Sequence, residues 1–373
     1  MIKILSIFGT RPEAIKMAPV IKALENETSI ESLICVTAQH RDMLDQVLEL
    51  FEIKPDYDLD LMTPDQNLVD LTAVCLKRLS EVLGECKPDR VLVHGDTTTS
   101  FVAALACYYS RIPVAHVEAG LRTNNIYSPW PEEMNRRLTD TICDLHFAPT
   151  QKAKENLLKS GIPETCIHIT GNTVIDALLD ISRRIEAKKN IIQSINPKII
   201  KLINKKRIIL VTGHRRENFG EAFEEICEAL AIIADRPDVQ IIYPVHLNPN
   251  VQKPVTRILG GHTNIHLVPP QNYLNFVYLM IKSFFIITDS GGIQEEAPAL
   301  GKPVLVLRDV TERSEGLDAG TIKLVGANRS NIIDEAFSLL DDKLLYKEMS
   351  NAHNPYGDGQ AGARIMEKLI SGP

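Results

Sequence analysis

Several features that mark specialised protein classes are scarce or missing in this sequence. Lysine and arginine number 41 against 48 acidic residues, a formal net charge of -7, which disfavours binding to nucleic acid or to an anionic membrane surface. No run of 18 apolar residues is present, so no transmembrane helix is predicted. The opening MIKILSIFGT lacks the basic segment, apolar stretch and cleavage site of a secretory signal, which predicts a cytoplasmic location.

Cysteine pairs and common cofactor motifs are also missing. The seven cysteines are an odd number, scattered without a C-x-x-C pair, so we predict buried reduced thiols rather than disulfides or a zinc cluster. The H-E-x-x-H spacing of a metal-binding helix does not occur, and neither does the Walker phosphate-binding sequence. We therefore expect no metal site and no cofactor.

The length and the alternation of patterns predict two α/β domains. A chain of 373 residues exceeds the usual size of one core. Strand-like runs such as KILSIF, SLICVTA and RVLVHG alternate with helical patterns, and a second series begins at RIILVTGHRRE. We expect a Rossmann-like domain at residues 1–172, a second at 173–352, and a final helix within 353–373 that packs back on the first domain.

The two predicted domains begin alike. GTR at residues 9–11 follows the first strand of one, and GHR at residues 213–215 follows the first strand of the other. Parallel α/β sheets bind ligands at the carboxyl ends of their strands. Two doubly wound domains that face each other across a cleft would therefore place both turns at its mouth.

Three carboxylates of the first domain stand at the starts of successive elements. Asp96 in HGDTTTS and Glu118 after PVAHV each follow a predicted strand, and Glu132 opens a helix after Pro131. A structural interpretation is open for two of them: Asp96 as a helix cap, and Glu132 as the i,i+4 salt-bridge partner of Arg136. Taken together, the three are more typical of an acid–base site.

Cations accompany two of the strand ends. FGTRPEAIK places Arg11 and Lys16 near the start of a helix, where an anion could bind, although a plain strand-to-helix connection is the alternative. TGHRRENFG ends a strand with His214 beside two arginines, which favours contact with an anion over a purely structural histidine.

The stretch DSGGIQEE, residues 289–296, has the pattern of a diphosphate-binding turn. The small residues 290–292 leave backbone N–H groups open at the start of a helix, and the helix dipole favours an anion there. Glu296, one helical turn further on, suits ribose hydroxyls rather than phosphate. Glu295 points about 100° away on an ideal helix and is interpreted as a paired surface charge. Arg313 would close the far side of the diphosphate.

Many long stretches, in order along nearly the whole chain, resemble the non-hydrolysing UDP-N-acetylglucosamine 2-epimerases. They are FGTRPEAIKMAP, VLVHGDTTT, HVEAGLRT, HFAPT, ITGNTVIDAL, TGHRRE, YPVHLNPNV, DSGGIQEEAPALGKPVLVLRD and NPYGDG. The resemblance implies a GT-B-like fold with a cleft between two Rossmann-like domains, a homodimer, and no metal or redox cofactor. It also implies interconversion of UDP-GlcNAc and UDP-ManNAc.

The resemblance carries site residues over to this chain. It implies a catalytic group of Asp96, Glu118, Glu132 and His214. It implies that the substrate is bound by Arg11, Lys16, Arg136, Gln271, Phe276, Ser290, Gly291, Gly292, Glu296 and Arg313. In this interpretation Glu118 acts in an elimination, Asp96 and Glu132 act in the return step, and Phe276 lies near the uracil.

A second nucleotide site is also implied, because bacterial relatives bind a second UDP-GlcNAc as an activator. The residues that match this site are Gln39, Glu132, Arg215 and His246. Asp42 and Asp65 stand where some members have Gln and Arg, and carboxylates near a diphosphate are unfavourable. We expect weak or altered activation.

Three other functions stay open from the sequence. A GT-B glycosyltransferase would share the UDP site but needs an acceptor groove, and the three carboxylates at the sugar end favour the epimerase instead. A hydrolysing epimerase would release free ManNAc. A non-catalytic UDP-sugar sensor would bind the substrate without changing C2, and the intact acid–base set argues against it.

Overall fold

The computed structural model describes residues 1–38, 41–61, 67–187 and 190–371. The chain divides into two compact units: unit 1 comprises Met1–Ala177 with Tyr356–Pro373, and unit 2 comprises Leu178–Pro355. Each unit is built on one parallel sheet with helices. The predicted α/β fold with two Rossmann-like sheets is confirmed.

Unit 1 contains a seven-stranded sheet. Its strands are β1 (Ile2–Phe8), β2 (Ile30–Val36), β3 (Tyr57–Asp58), β4 (Arg90–His94), β5 (Val114–Val117), β6 (Leu145–Ala148) and β7 (Ile167–Ile169), in the order β3-β2-β1-β4-β5-β6-β7. Its helices are α1 (Arg11–Glu25), α2 (Arg41–Phe51), α3 (Leu68–Cys86), α4 (Thr98–Ser110), α5 (Glu132–Ile142) and α6 (Gln151–Lys159). The division between the units falls within α7 (Thr173–Glu186).

Unit 2 contains a six-stranded sheet. Its strands are β8 (Arg207–Thr212), β9 (Val239–Pro244), β10 (Ile265–Val268), β11 (Phe285–Thr288), β12 (Val304–Val306) and β13 (Ile322–Leu324), in the order β10-β9-β8-β11-β12-β13. Its helices are α8 (Pro197–Leu202), α9 (Glu221–Ala234), α10 (Pro249–Leu259), α11 (Tyr273–Lys282), α12 (Gly291–Ala299), α13 (Ser314–Asp318), α14 (Arg329–Asp341) and α15 (Lys343–Asn351). Short 3-10 turns lie at Glu164–Cys166, Asn190–Ser194 and Arg216–Asn218.

The central strands are largely apolar and buried, with Lys3 and Ser6 the polar residues of β1. Ile4, Leu5 and Ile7 of β1 are completely buried, as are Ile209 and Leu210 of β8. Such continuous runs are typical of parallel strands in doubly wound folds, where neither face meets water. The same runs made these strands recognisable in the sequence.

Both sheets reverse their strand order at the first strand. In unit 1, β1 pairs with β2 on one side, Phe8 opposite Val36, and with β4 on the other, Ile7 opposite Val93. In unit 2, β8 lies in the same way between β9 and β11. The crevice at such a switch point, outside the carboxyl ends of the strands, is where open α/β sheets bind ligands.

Residues after position 355 complete unit 1. Helix α16 (Ala361–Ser371) packs on α1 so closely that a methyl group on Gly362 would lie 2.9 Å from the carbonyl oxygen of Pro19. The Gly362 N–H donates to Asp176 Oδ1 at 2.8 Å, and the Asn172 N–H donates to the Tyr356 carbonyl at 2.7 Å. The preceding GDGQAG has the glycine spacing of a dinucleotide-binding turn, but it follows helix α15 rather than a strand.

Some elements escaped the sequence prediction. Strands β3, β6 and β7 are two, four and three residues long, too short for a clear apolar run. The thiol prediction holds for most cysteines: Cys166 is partly exposed, and the other six are buried and free. Across the described ranges, no helix combines the length and the hydropathy that a membrane span requires.

Candidate active site

Glu118 lies beside the switch point of unit 1, at the end of the strand next to β4. This residue follows β5 in a left-handed backbone conformation, φ +63°, and its side chain is only 9% exposed. Glu118 Oε2 accepts hydrogen bonds from Lys16 Nζ in α1 and from Asn172 Nδ2 at 2.9 Å. Unit 1 therefore pairs a strand-end carboxylate with a cation of α1, a contact that the sequence analysis did not predict.

Asp96 stands at the end of the neighbouring strand β4. The capping alternative is wrong for it, because Thr97 is the N-cap of α4 and accepts the Ser100 N–H at 3.1 Å. The Asp96 carboxylate instead accepts from Arg136 Nη2, and its backbone carbonyl accepts from Asn135 Nδ2 at 3.0 Å. Helix α5 thus holds Asp96 with two consecutive residues.

The structure separates the two adjacent glutamates of α5. The expected salt bridge between Glu132 and Arg136 is not the one formed: Arg136 pairs with Asp96 and with Glu133. Glu133 is 0% exposed, and it also pairs with Arg137 at 2.8 Å. Glu132 Oε2 is buried without a hydrogen-bond partner among the described residues. Glu132 therefore has a carboxylate oxygen that the described residues leave unsatisfied, whereas Glu133 is committed to the fold.

Glu133 anchors the segment between β5 and α5. It accepts the backbone N–H groups of Thr123 at 3.0 Å and Asn124 at 3.2 Å. Burial disfavours its charge, but these donors, with Arg137 and Arg136, hold its pKa below the ordinary value. Glu132 and Glu133 are adjacent and identical in type, so the sequence alone did not show that Glu133 is the one that anchors the segment.

The N-terminus of α1 is occupied by a protein carboxylate. Glu13 is buried and accepts the N–H groups of Gly9 at 3.0 Å and Thr10 at 2.8 Å, forming a capping box with Thr10. It also accepts from Thr97 Oγ1 at 2.6 Å, and burial raises its pKa. An anion near this turn would therefore have to be held by the side chains of Arg11 and Lys16, which are both partly exposed.

His94 is a site residue that the sequence analysis missed. It ends β4, is almost fully buried, and neither ring nitrogen has a hydrogen-bond partner among the described groups. Its Nε2 lies 3.9 Å from Glu118 Oε2. Burial lowers the pKa of His94 to about 3, so the imidazole stays neutral beside the carboxylate. The sequence did offer a signal for His94, because it ends a predicted strand two residues before Asp96.

A second missed histidine lies beneath the same turn. His116 of β5 is completely buried, with Nδ1 2.6 Å from Asp140 Oδ1 and Nε2 2.7 Å from the Gly95 carbonyl. Arg122 lies 2.7 Å from Asp140 on its other side. Burial opposes the charge of Asp140, yet His116 and Arg122 keep its pKa below the ordinary value. This network fixes the backbone immediately before Asp96.

In unit 2, the predicted phosphate turn lies at the end of β11. Ser290 is the N-cap of α12 and its side chain makes no capping hydrogen bond. A methyl group on Gly291 would lie 2.9 Å from the guanidinium carbon of Arg313, and one on Gly292 would lie 3.4 Å from Glu296 Oε1. The turn is therefore flanked by a cation on one side and a carboxylate on the other, as the nucleotide interpretation requires.

The interpretation of Glu295 as a surface charge is wrong. Glu295 is 5% exposed, and its Oε1 accepts from Arg313 Nε at 2.9 Å. Arg313 also donates to Glu312 through Nη1. The first of the two glutamates therefore orients the arginine beside the turn, and helical geometry turns Glu296 toward Gly292 instead.

His214 follows β8, on the other side of the switch point of unit 2. Its ring stacks on His246, which follows β9, with centroids 5.3 Å apart and ring planes 15° from parallel. Its backbone N–H donates to Asp289, the residue before Ser290, at 2.7 Å. The loop with His214 and the phosphate turn are thus joined directly.

The remaining predicted residues lie further along the same edge or outside the described part. Gln271 precedes α11, donates to the Pro269 carbonyl at 2.5 Å and accepts from Asn275 at 3.2 Å; Phe276 lies half-buried in the first turn of α11. Arg215 Nη2 lies 3.9 Å from Glu312 Oε1. Gln39 and Asp65 fall outside the described residues, and the side chain of Asp42 is not described.

Comparison with known proteins gives consistent matches along the chain. The profile of the UDP-N-acetylglucosamine 2-epimerase family matches residues 22–370. A probable UDP-N-acetylglucosamine 2-epimerase of Ralstonia nicotianae is 58% identical over 370 residues, 99% of each chain. The UDP-N-acetylglucosamine 2-epimerase of Escherichia coli strain K12 is 56% identical over 368 residues, 98% of each chain. The crystal structure of UDP-GlcNAc 2-epimerase from Neisseria meningitidis bound to UDP-GlcNAc superposes with a TM-score of 0.90 at 52% identity, covering 100% of both chains.

Proposed function

The chain belongs to the UDP-N-acetylglucosamine 2-epimerase family, and from this premise we propose that it interconverts UDP-GlcNAc and UDP-ManNAc at C2 of the sugar. The observation that carries the proposal is the group of carboxylates at the switch point of unit 1. Glu118 is paired with Lys16, and Asp96 on the neighbouring strand end is paired with Arg136. Acid and base groups are what a proton exchange at carbon requires.

The chemistry explains why several carboxylates are needed. The hydrogen at C2 is not beside a carbonyl, so the C1–O bond to UDP breaks as the proton leaves. The electron pair of the C1–O bond goes to the UDP oxygen. The pair of the C2–H bond forms a C1–C2 double bond, and the product is 2-acetamidoglucal. UDP then adds back while C2 is protonated on the opposite face. Two faces of one ring require acid–base groups on both sides.

The proposed roles follow the contacts within unit 1. Glu118 takes the C2 proton in the elimination, because Lys16 and Asn172 orient its carboxylate. Asp96 and Glu132 act in the return step, and the unpartnered Oε2 of Glu132 supports a direct contact with the sugar. Arg11, Lys16 and Arg136 supply positive charge to the substrate.

Unit 2 supplies the proposed UDP groups. The N–H groups of Gly291 and Gly292 and the Arg313 guanidinium bind the diphosphate, which the helix dipole of α12 also favours. The Ser290 N–H, which the sequence predicted to take part, instead donates to Thr288 Oγ1 at 3.0 Å. Glu296 accepts hydrogen bonds from the ribose, Phe276 and Gln271 neighbour the uracil, and His214 acts at the leaving phosphate. No metal or redox cofactor enters this proposal.

Proton NMR of UDP-GlcNAc with the protein in deuterium oxide tests the proposal. We expect UDP-ManNAc signals to appear and the C2 hydrogen of both sugars to be replaced by deuterium. Free ManNAc with UDP would indicate a hydrolysing epimerase instead. UDP-GlcNAc signals that broaden without any new product would indicate a sensor. Consumption of UDP-GlcNAc only when an acceptor is added would indicate a glycosyltransferase.

Assembly and location are parts of the same proposal. The family resemblance supports a homodimer and a cytoplasmic enzyme that meets its nucleotide sugars there. Light scattering on the purified chain tests the assembly, with twice the 41.6 kDa chain mass as the expected result. A mass of one chain at micromolar concentration would overturn the homodimer and leave the epimerase proposal untouched.

A further inference from the structure

Asp289 has no role in the function proposed above, yet it occupies the switch point of unit 2. It is completely buried between the end of β11 and the phosphate turn. Its Oδ2 accepts the backbone N–H of His214 at 2.7 Å and that of Arg215 at 2.8 Å. A buried carboxylate is costly unless it is used, and here it fixes the loop that carries the histidine.

The second oxygen of Asp289 faces the ring of His214. Oδ1 lies 3.4 Å from His214 Nδ1, and it is buried without a hydrogen-bond partner among the described residues. On its far side the ring is stacked on His246. A small adjustment of the side-chain torsions brings Nδ1–H onto Oδ1, which would give that oxygen the partner a buried carboxylate needs.

The backbone on which His214 stands is fixed independently. The Tyr243 hydroxyl, itself buried, donates to the Gly213 carbonyl at 3.0 Å. Thr212 and Thr288 join β8 and β11 through their hydroxyls at 2.6 Å. Because these contacts already position the loop, the short distance from Oδ1 to Nδ1 has a consequence for the ring itself.

We propose that Asp289 is the positioning residue for His214: Oδ1 accepts the hydrogen bond from Nδ1–H, so that Nε2 is the nitrogen that exchanges a proton with the leaving phosphate. This rests on the function proposed above. When the C1–O bond breaks, its electron pair goes to the UDP oxygen. The doubly protonated imidazole passes its Nε2 proton to that oxygen and is left neutral with its remaining proton on Nδ1. In the return direction Nε2 takes the proton back, and Asp289 Oδ1 accepts the hydrogen bond from Nδ1–H in both directions.

Charges on three sides act on the imidazole. Burial lowers the pKa of His214; Asp289, from the turn before α12, opposes this, while His246 after β9 and Arg215 of the same loop add to the lowering. Removing the charge of Asp289 therefore lowers the pKa of His214 further. An asparagine at 289 can turn its oxygen to the two backbone N–H groups, which leaves an N–H group facing Nδ1 and favours the opposite tautomer.

Histidine nitrogen NMR on the unliganded protein is the first test, with the His214 signals assigned from their loss in His214→Asn. We expect the neutral ring of the unaltered protein to carry its proton on Nδ1. In Asp289→Asn the proton moves to Nε2, and the midpoint falls by about one pH unit. An Nε2–H tautomer in the unaltered protein would overturn the proposal even if the variant did not fold. The control, Thr212→Val, removes the neighbouring hydroxyl bond and leaves tautomer and midpoint unchanged.

Kinetics on UDP-GlcNAc is the second test. Asp289→Asn should lower kcat by about 10- to 100-fold, with KM changed less than about twofold, because orientation is lost and not binding. In a His214→Asn background the same change should have almost no further effect. If the decrease in kcat for the double variant were the product of the decreases for the two single variants, the proposal would be overturned. If the unaltered protein showed no C2 exchange, the proposed function would fall while the tautomer result stood on its own.

Discussion

Glu118 combines an unusual backbone with a fully engaged carboxylate. A non-glycine residue at φ +63° is uncommon, and such residues persist where the surrounding structure holds them. Here Lys16 and Asn172 hold the side chain from two different elements. The conformation re-aims the carboxylate at the end of β5, which is consistent with its proposed role as the base.

Replacing Glu118 by Gln should abolish the exchange of the C2 hydrogen with solvent deuterium. The amide keeps the size of the side chain but cannot take a proton, so we expect a loss of at least about 1,000-fold. Glu155→Gln, on the exposed face of α6, is the matched control and should exchange at the normal rate. Undiminished exchange in the Glu118 variant would refute its role.

Gly291 allows a sharp test of the phosphate turn, because a methyl group there meets only the movable end of Arg313. In Gly291→Ala the guanidinium shifts away, so we expect UDP to bind about tenfold more weakly, equivalent to about 1.4 kcal/mol, with the melting temperature nearly unchanged. Calorimetric titration with UDP measures this. Gly261→Ala, with open space around the added methyl, should match the unaltered protein. Equal UDP affinity in both variants would contradict the role of Arg313.

At the scale of elements, helix α5 both holds the site and stabilises unit 1. Its Arg136 reaches Asp96, while its Glu133 gathers Arg136, Arg137 and the backbone of Thr123. The start of α5 is therefore tied to the segment after β5 by one buried carboxylate. The stability of this corner depends on the charge of Glu133.

Glu133→Gln should lower the free energy of unfolding by about 2 to 4 kcal/mol at pH 7, because it removes a buried charge that pairs with Arg136 and Arg137 and accepts two backbone N–H groups. The folded-state pKa of Glu133 lies below its unfolded value, so its contribution is complete above the unfolded pKa of about 4.3 and is lost as pH falls through the folded one. Urea unfolding at pH 7 and pH 4 measures both effects.

The difference in the free energy of unfolding between Glu133→Gln and the unaltered protein should become smaller toward acid pH. Glu81→Gln removes an exposed partner of Arg78 and serves as the control, with a change below about 0.5 kcal/mol. A gap that stays constant from pH 7 to pH 4 would show that shape rather than charge makes Glu133 important.

Elements were more predictable from the sequence than the partners of single side chains. The apolar runs and glycine turns gave β1, β4, β8 and β11 and their strand-end motifs, because such patterns reflect the local chain. The pairing of Arg136 with Asp96, across 40 positions, depends on the tertiary fold. The burial of Glu295 and the neutrality of His94 likewise depend on neighbours distant in sequence.

At the scale of the whole molecule, the same strand order occurs twice. In each unit the first strand, β1 or β8, is central. The next strand in sequence lies on one side of it, and a later strand, β4 or β11, lies on the other. The sequence echo between residues 9–11 and 213–215 corresponds to these equivalent positions. The two turns have diverged: the first is closed by the carboxylate of Glu13, and the second leads to His214 and Asp289.

Kinetics of the whole enzyme tests the expectation about a second nucleotide. The family resemblance aligns Asp42 and Asp65 with Gln and Arg of some members, and carboxylates disfavour a diphosphate, so we expect the rate to depend hyperbolically on UDP-GlcNAc, with a Hill coefficient of about 1. UDP-ManNAc should turn over without added UDP-GlcNAc. A strongly sigmoidal curve, with UDP-ManNAc inert until UDP-GlcNAc is added, would contradict this. The paired change of Asp42 to Gln and Asp65 to Arg should increase the sigmoidal character.

The contact between Asn172 and Tyr356 has a consequence for folding during translation. Asn172 orients Glu118, and its backbone is held by a residue that the ribosome adds only after all of unit 2. At about 5–20 residues per second, the nascent unit 1 waits roughly 10 s or more for the segment that completes it. By the end of that interval the proposed nucleotide groups of unit 2 have been translated, while the support of Glu118 is still incomplete. Synthesis itself thus delays activity until the last helix has emerged.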